Sequence, residues 1–432
     1  MKQLTAIIIG AGGRGCTYAE EMKKMPEHFK VVGVADTDPV RVKEFAEYHN
    51  LPASACYDDW RSILAQPKLA DIAVIATQDN AHYEPALKAI DLGYQLLLEK
   101  PVAQTVKECV DIANAAKKAG VAVLVCHVLR YTPFFKCVKS IVEEGTIGDI
   151  MSIMHLEGVG NVHQSHSYVR GNWHSEEEST PMLLAKSCHD IDILQWLMDK
   201  PCKKISSFGE LTHFAPAYAP KGAPVRCADG GCPVADTCPY NCIKLYYDDK
   251  DNDWFRKAST VGIAKSIPPS DEDVMTALKT TDYGLCVYQA NNDVVDHQVV
   301  NMLFDGGATV NFSMNAFNEG GRSIRIFGTK GEITGDMANP TIDVYTFADM
   351  KHHTVSVEET EESILGGHGG GDAGIIRDFY EYLNGTYTGS SIAEIQTSVA
   401  NHLLTFAAEE ARHTDTVVSV DDYFTRNNFE NK

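Results

Sequence analysis

The stretch LTAIIIGAGGRG, residues 4–15, constrains the fold more than any other part of the chain. An apolar run that reads as a buried strand passes straight into glycines at Gly10, Gly12, Gly13 and Gly15, and a helix is expected to begin near Cys16. A second apolar run, FKVVGVAD, ends at Asp36, 21 residues after Gly15. Strand, G-x-G-x-x-G turn, helix and a distant acid together form the dinucleotide fingerprint. Gly10 permits the tight turn, Gly12 lets a pyrophosphate approach the backbone, and Gly15 lets helix and strand pack closely. The helix N-terminus adds free N–H groups and a positive dipole end, with Gly13 and Arg14 in the same cradle. Asp36 is placed to accept hydrogen bonds from ribose hydroxyls and to repel a 2′-phosphate, which favours NAD over NADP. Arg41 lies close enough in sequence to weaken that preference.

The alternation continues along the chain. ADIAVIAT (70–77) reads as a strand, followed by a helix through His82 to Leu92. YQLLLEKP is a strand closing at Pro101, a helix covers 105–119, and a further strand covers 120–131. Strands alternating with helices of this length build a doubly wound parallel sheet. Ligands of such sheets sit beyond the strand C-termini, so Thr77, Gln78, Glu99, Lys100, His127 and Arg130 are expected around one crevice. Thr77, Gln78, His82, Glu99 and Lys100 are assigned to the cofactor and Arg130 to the substrate. With 432 residues the chain exceeds what one hydrophobic core supports. Two domains are expected: a dinucleotide-binding domain at 1–130 and a second at 131–415, with a Cys-rich insert at about 203–282 and a tail at 416–432. The formal charge of −21 argues against nucleic acid or an anionic membrane as a general partner. No apolar run is long enough to span a bilayer, and the first residues lack the apolar length of a signal peptide, so a cytoplasmic protein is expected.

At EKP, residues 99–101, a family pattern emerges. With the early glycines, IATQDNAHYEPALKAIDLG and IVEEGTIGDI, it resembles the glucose–fructose oxidoreductase and inositol dehydrogenase family (Gfo/Idh/MocA). The resemblance implies an N-terminal Rossmann domain and a C-terminal α+β domain with an open, largely antiparallel sheet that often forms homo-oligomer contacts. It also implies NAD(P)-linked hydride transfer at a sugar or polyol carbon, with Lys100 as the central polar catalytic residue. A lysine beside a cationic nicotinamide should have a lowered pKa and can shuttle a proton. The family's second signature is an Asp followed four residues later by His. Here LLAKSCHDIDILQWL carries His189 in the histidine place but Ala185 in the aspartate place, with Lys186 next. His189 and Lys186 are the candidate proton acceptors, and Asp192 either orients the His189 ring or serves the helix N-terminus.

HLEGVGNVHQSHSYVRGNWH, residues 155–174, suits a carbohydrate, whose hydroxyls and apolar faces call for forked donors and aromatic plates. Glu157, His163, His166, Tyr168, Arg170 and Trp173 are the candidates there. VVDHQVVNMLF (294–304) alternates as a strand and adds Asp296 and His297. GGHGGGDAGIIRDF (366–379) adds His368, while Asp372 serves equally as a helix N-cap. In RCADGGCPVADTCPYNC, Cys227, Cys232, Cys238 and Cys242 stand close enough to hold a structural zinc or an iron–sulfur cluster, or to remain reduced thiols.

Three functions compete. The first is an NAD-dependent oxidoreductase acting on a ring carbon of a sugar, sugar derivative or glycoside. The second is a redox-neutral NAD-dependent glycosidase working through a 3-keto intermediate and elimination, which needs an extra base such as Lys186. The third is a non-catalytic sensor of dinucleotide and sugar.

Overall fold

The computed structural model describes residues 2–264, 269–357 and 367–430. The first sheet contains β1 (Leu4–Ile9), β2 (Phe29–Ala35), β3 (Cys56–Tyr57), β4 (Ile72–Ile75), β5 (Gln95–Leu98) and β6 (Val123–Val125). They lie in the order β3-β2-β1-β4-β5-β6, all parallel. The order reverses between β1 and β4, where the glycine turn emerges, and that crevice is where doubly wound sheets hold their ligands. β4 and β5 are buried almost throughout, because helices cover both faces.

The glycines explain the start of the fold. Gly10 has φ +96°, and a Cβ there would stand 2.5 Å from the Ala76 carbonyl oxygen. A Cβ on Gly15 would stand 1.9 Å from the Gly10 carbonyl oxygen. The helix Gly13–Lys24 therefore lies on the turn with no room for a side chain. The helix Val106–Ala119 is framed by a capping box, Thr105 with Glu108, and by a left-handed Gly120.

The second sheet contains β7 (Ile150–Gly158), β8 (Cys202–Glu210), β9 (His297–Phe304), β10 (Thr309–Asn315), β11 (Gly321–Gly328), β12 (Gly331–Asp336), β13 (Thr341–Thr346), β14 (Lys351–Ser356) and β15 (Val418–Ser419). Its order is β14-β13-β12-β11-β7-β10-β9-β8-β15, antiparallel except between β7 and β10. One face packs on the helices Cys188–Met198 and Ile395–Thr414; the other leaves Met151, Met154 and Phe208 half exposed.

Four details differ from the expectation. The strand expected at 120–131 stops at Val125, and Val128–Tyr131 form a short helical turn that carries Arg130 inward. The strand expected from Val294 begins at His297. Residues 203–210 belong to β8, whose alternating pattern fits a sheet, so the insertion runs from 211 to 296, between neighbouring strands β8 and β9. The segment 416–432 supplies β15 and the helix Val420–Arg426, which packs back on the domain instead of trailing from it.

Gly15→Ala should lower stability by about 3 kcal/mol or more, since overpacking against backbone has no side chain to yield. A thermal unfolding midpoint equal to that of the parent chain would disprove the close approach.

Candidate active site

The glycine turn divides into two pairs. Gly10 and Gly15 have no space for a side chain, whereas a Cβ on Gly13 would meet nothing within 4 Å and one on Gly12 only Arg41 Nη1, at 3.7 Å. Gly12 caps its helix without a side-chain hydrogen bond, and no acidic residue stands in the first turn. Open space over uncapped amides is what a pyrophosphate requires. Asp36 is held at this turn, with Oδ2 accepting from the Ala11 N–H at 2.7 Å and Oδ1 from the Asp38 N–H at 2.8 Å. The residues present fit a dinucleotide.

Several residues assigned to the cofactor have protein partners. Arg14 donates to Glu99 at 2.7 Å and to Asp372 at 2.6 and 3.2 Å. Tyr18 donates to the same Glu99 oxygen at 2.6 Å. Burial pushes the Glu99 carboxyl up, but Arg14, Lys100 and the Tyr18 hydrogen bond outweigh it and hold the group below its ordinary value. His82 is buried with Nδ1 2.7 Å from the Pro101 carbonyl oxygen and Nε2 3.1 Å from that of Thr77, so its ring staples two loops. Thr77 closes its own turn onto Ala81, and Gln78 is exposed.

Lys100 ends β5 and reaches across to the second domain, where Nζ donates to the Ala185 carbonyl oxygen at 2.8 Å. The backbone of Ala185 thus occupies the place of a carboxylate partner. Lys186 is half-buried, 3.5 Å from Glu157. Glu157 also faces Arg322 at 2.6 Å, and Arg322 reaches Asp190 at 2.8 Å. His155 Nε2 stands 2.8 Å from the same Asp190 oxygen. Around Lys100, therefore, three basic side chains (Lys100, Lys186 and Arg322) face two carboxylates (Glu157 and Asp190). Burial lowers the Lys186 pKa, and the neighbouring Arg322 and Lys100 lower it further against Glu157. Burial and nearby Asp190 push Glu157 up against the pull of Arg322.

His189 lies buried on the helix Cys188–Met198, its ring 5.9 Å from that of His127. His163 is half-buried near Lys186, Lys100 and Arg322; burial and these cations press its pKa well down, so it is neutral at physiological pH. Tyr168 lies between the rings of His163 and Trp173, at 5.7 and 6.0 Å. Trp173 Nε1 donates to Asp79 at 2.9 Å and ties this wall to the first domain.

Other candidates lie elsewhere. Arg130 is buried in a two-pronged pair with Asp192, at 2.6 and 2.7 Å, so Asp192 serves Arg130 and not His189. His166 packs among Tyr246, Phe255 and Tyr283. Arg170 donates to the carbonyls of Leu285 and Tyr240 in the insertion. Asp296 holds a turn by accepting from the Thr212 and His213 N–H groups, at 3.0 and 2.7 Å, with His297 against it. The side chain of His368 lies outside the described residues. Arg322, Asp190 and His155 escaped the sequence reading, because they meet only when β7, β11 and the helix Cys188–Met198 are assembled.

Residues 4–127 match an oxidoreductase family described as an NAD-binding Rossmann fold, and residues 139–420 match its C-terminal alpha/beta domain. The chain belongs to the Gfo/Idh/MocA oxidoreductase family. This family membership makes it an enzyme of the NAD-binding oxidoreductase class. YteT of Bacillus subtilis (strain 168), an oxidoreductase by name, is 25% identical over 374 residues, 83% of this chain and 84% of that protein. The 2,7-anhydro-N-acetylneuraminate hydratase of Escherichia coli (strain K12) is 28% identical over 156 residues, 36% of this chain and 41% of that protein. A levoglucosan dehydrogenase solved with NADH and L-sorbose shares the fold at TM-score 0.69 and 18% identity, covering 97% of this chain and 99% of that one. No helix among the described residues is long and apolar enough to cross a membrane.

Asp190 gives this cluster a pH signature. Burial raises its carboxyl, but Arg322 and the His155 hydrogen bond overcome that and hold it at about 2, below its ordinary 3.8. Its stabilisation is therefore complete above pH 3.8 and is lost as the pH falls through about 2. Asp190→Asn should cost about 3 kcal/mol at pH 7, since it strips a buried Arg322 of one partner, and should cost less near pH 2. Unfolding midpoints measured across that range decide it; equal losses at both ends would contradict the assignment.

Proposed function

We propose that this family member moves a hydride between a nicotinamide and a ring carbinol carbon of a sugar, sugar derivative or glycoside. The observation that carries the reading is the gathering of basic side chains beyond the end of β5, where Lys100 is anchored on Ala185 with Lys186 half-buried beside it. NAD is the better fit, because Asp36 at the glycine turn disfavours a 2′-phosphate. Bound there, the nicotinamide supplies the hydride acceptor or donor.

The residues do the proton work. The Lys100 ammonium holds the reacting hydroxyl, and the surrounding cations stabilise the alkoxide character that develops on its oxygen. Lys186, its pKa lowered by burial, is the acceptor for the hydroxyl proton, with Glu157 3.5 Å away to balance the ammonium that forms. His189 is the alternative acceptor. Tyr168 and Trp173 give the sugar an apolar wall, and neutral His163 offers a hydrogen-bonding edge beside it. The half-exposed apolar residues of the second sheet favour a homo-oligomer formed across that face.

A redox-neutral glycosidase is the second reading. Lys186 is a base additional to His189, and elimination after oxidation needs one for the C–H next to the ketone. A relative named as a hydratase agrees with lyase-type chemistry on this fold.

Lys100→Ala should reduce turnover about 10²–10⁴-fold while the chain still binds NAD. Loss of binding and turnover together would move Lys100 out of the catalytic role. Lys186→Gln should abolish the rise of kcat/KM with pH that a lowered lysine produces; an unchanged profile would assign the proton to His189. An aryl glycoside incubated in deuterated water separates the two reactions. Steady NADH formation supports the dehydrogenase, whereas aglycone release with deuterium at C2 and no NADH build-up supports cleavage.

A further inference from the structure

The insertion between β8 and β9 has its own interior, with one apolar cluster around Phe214, Tyr240 and Tyr288 and another around Leu245, Tyr246 and Leu278. Cys227 and Cys242 pack with the second and Cys238 with the first. Among the described residues no three cysteine sulfurs lie within 4.8 Å of one another, so the ligand set that the spacing allowed is not assembled. What the insertion does reach is the active site. On its helix Trp254–Ala264, Phe255 has its ring 4.7 Å from that of His163, the residue near Lys186 and Lys100. Gly262, further along the same helix, borders a cleft of about 720 Å³, within the roughly 300–1,000 Å³ of small-molecule sites. The other banks are Gln78 and Asn80 of the first domain, Asn172, Glu177 and Glu178, and Asp282 of the insertion.

This cleft lies at the far end of the aromatic wall. The rings of His163, Tyr168 and Trp173 follow one another at 5.7 and 6.0 Å. His163 stands at the Lys100 end, and at the other end Trp173 Nε1 donates to Asp79, which borders the cleft. Asn80 Nδ2 donates to the Glu178 carbonyl oxygen at 3.3 Å and ties two of the banks together. A molecule whose reacting ring meets Lys100 along this wall therefore has room beyond Trp173 for a second unit. Gly262 keeps that room open: it is exposed, and a Cβ there would meet nothing within 4 Å.

The banks also select by charge. The amides of Gln78 and Asn172 and the exposed carboxylates of Glu177, Glu178 and Asp282 suit sugar hydroxyls. Arg170 borders the cleft too, but it is only 3% exposed and donates to the carbonyls of Leu285 and Tyr240 inside the insertion. A carboxylate or phosphate on the second unit would meet like charge.

We propose that the cleft binds a second, uncharged glycosyl unit, so that the substrate is a neutral disaccharide or longer glycoside. The inference rests on the proposed reaction only for the ring that is oxidised at Lys100; capture of the second unit does not depend on it. Binding energy gained far from the reacting carbon then supports turnover.

The test compares glucose, cellobiose and maltose on the full chain with NAD, by NADH formation and by calorimetric Kd. In the parent, kcat/KM for one of the disaccharides is expected at about ten times that for glucose or more. Gly262→Trp, which fills the cleft, should bring that disaccharide down to the glucose value in both readouts. Cellobiose carrying a C6 carboxylate should bind more weakly than cellobiose, by a factor that shrinks with added salt. A disaccharide that binds in a Gly262-dependent way without NADH formation upholds the cleft and sinks the dehydrogenase. Glucose used as well as both disaccharides, no binding of any of the three, or a disaccharide preference retained in Gly262→Trp would each overturn the cleft. The parent comparison needs no variant, so a Gly262→Trp chain that fails to fold leaves the proposal open to refutation.

Discussion

Arg14 holds together the parts of the molecule that chemistry requires in register. It leaves the first turn of the helix that follows the glycines, pairs with Glu99 one residue before Lys100, and pairs again with Asp372 in the helix Gly371–Leu383. The cofactor turn, the catalytic strand end and the second domain thus share one guanidinium. Glu99 is buried, and Arg14 and Tyr18 share with Lys100 the compensation of its charge. This explains why residues that look like cofactor ligands in sequence are occupied by each other. Open space for a dinucleotide then remains over the backbone of Gly12 and Gly13, with Asp36 held at the same turn.

The second theme is charge imbalance. A carboxylate four residues before His189 would pair with Lys100 and neutralise it. Ala185 offers Lys100 only a carbonyl oxygen, and Lys186 beside it is pushed toward its neutral form by burial first and by the neighbouring Arg322 and Lys100 after that. Glu157 and Asp190 compensate from β7 and the helix Cys188–Met198, both linked through Arg322 on β11. One side-chain loss in the family signature is therefore spread over three elements of the second domain.

Much of this was legible in advance. The parallel sheet and the glycine turn follow from short-range pattern, because apolar runs and glycines act locally. Lys100 stood out through its place in EKP, where the chain resembles the family pattern. The substrate wall was only partly so. Glu157 lies by Lys186 and His163 by Lys186 and Lys100, with Tyr168 and Trp173 following from His163, but Arg130, His166, Arg170 and Asp296 turn to structural partners. A polar residue on a loop reads the same whether it will meet a ligand or a buried carbonyl. Only the neighbour decides, and the neighbours of Arg170 lie 70 and 115 residues away.

By itself the sequence determined the two-domain plan and the dinucleotide turn followed by an acid at Asp36. Each is written in contiguous residues whose spacing obeys the period of a strand or helix. Tertiary structure alone decided that Arg322 and Asp190 surround Lys186 and that Arg14 serves Glu99 and Asp372. The ion pairs among them link residues 85 to 358 positions apart, from Arg14 with Glu99 at the near end to Arg14 with Asp372 at the far end. Buried charge and burial itself are properties of the assembled core, and no local pattern encodes them.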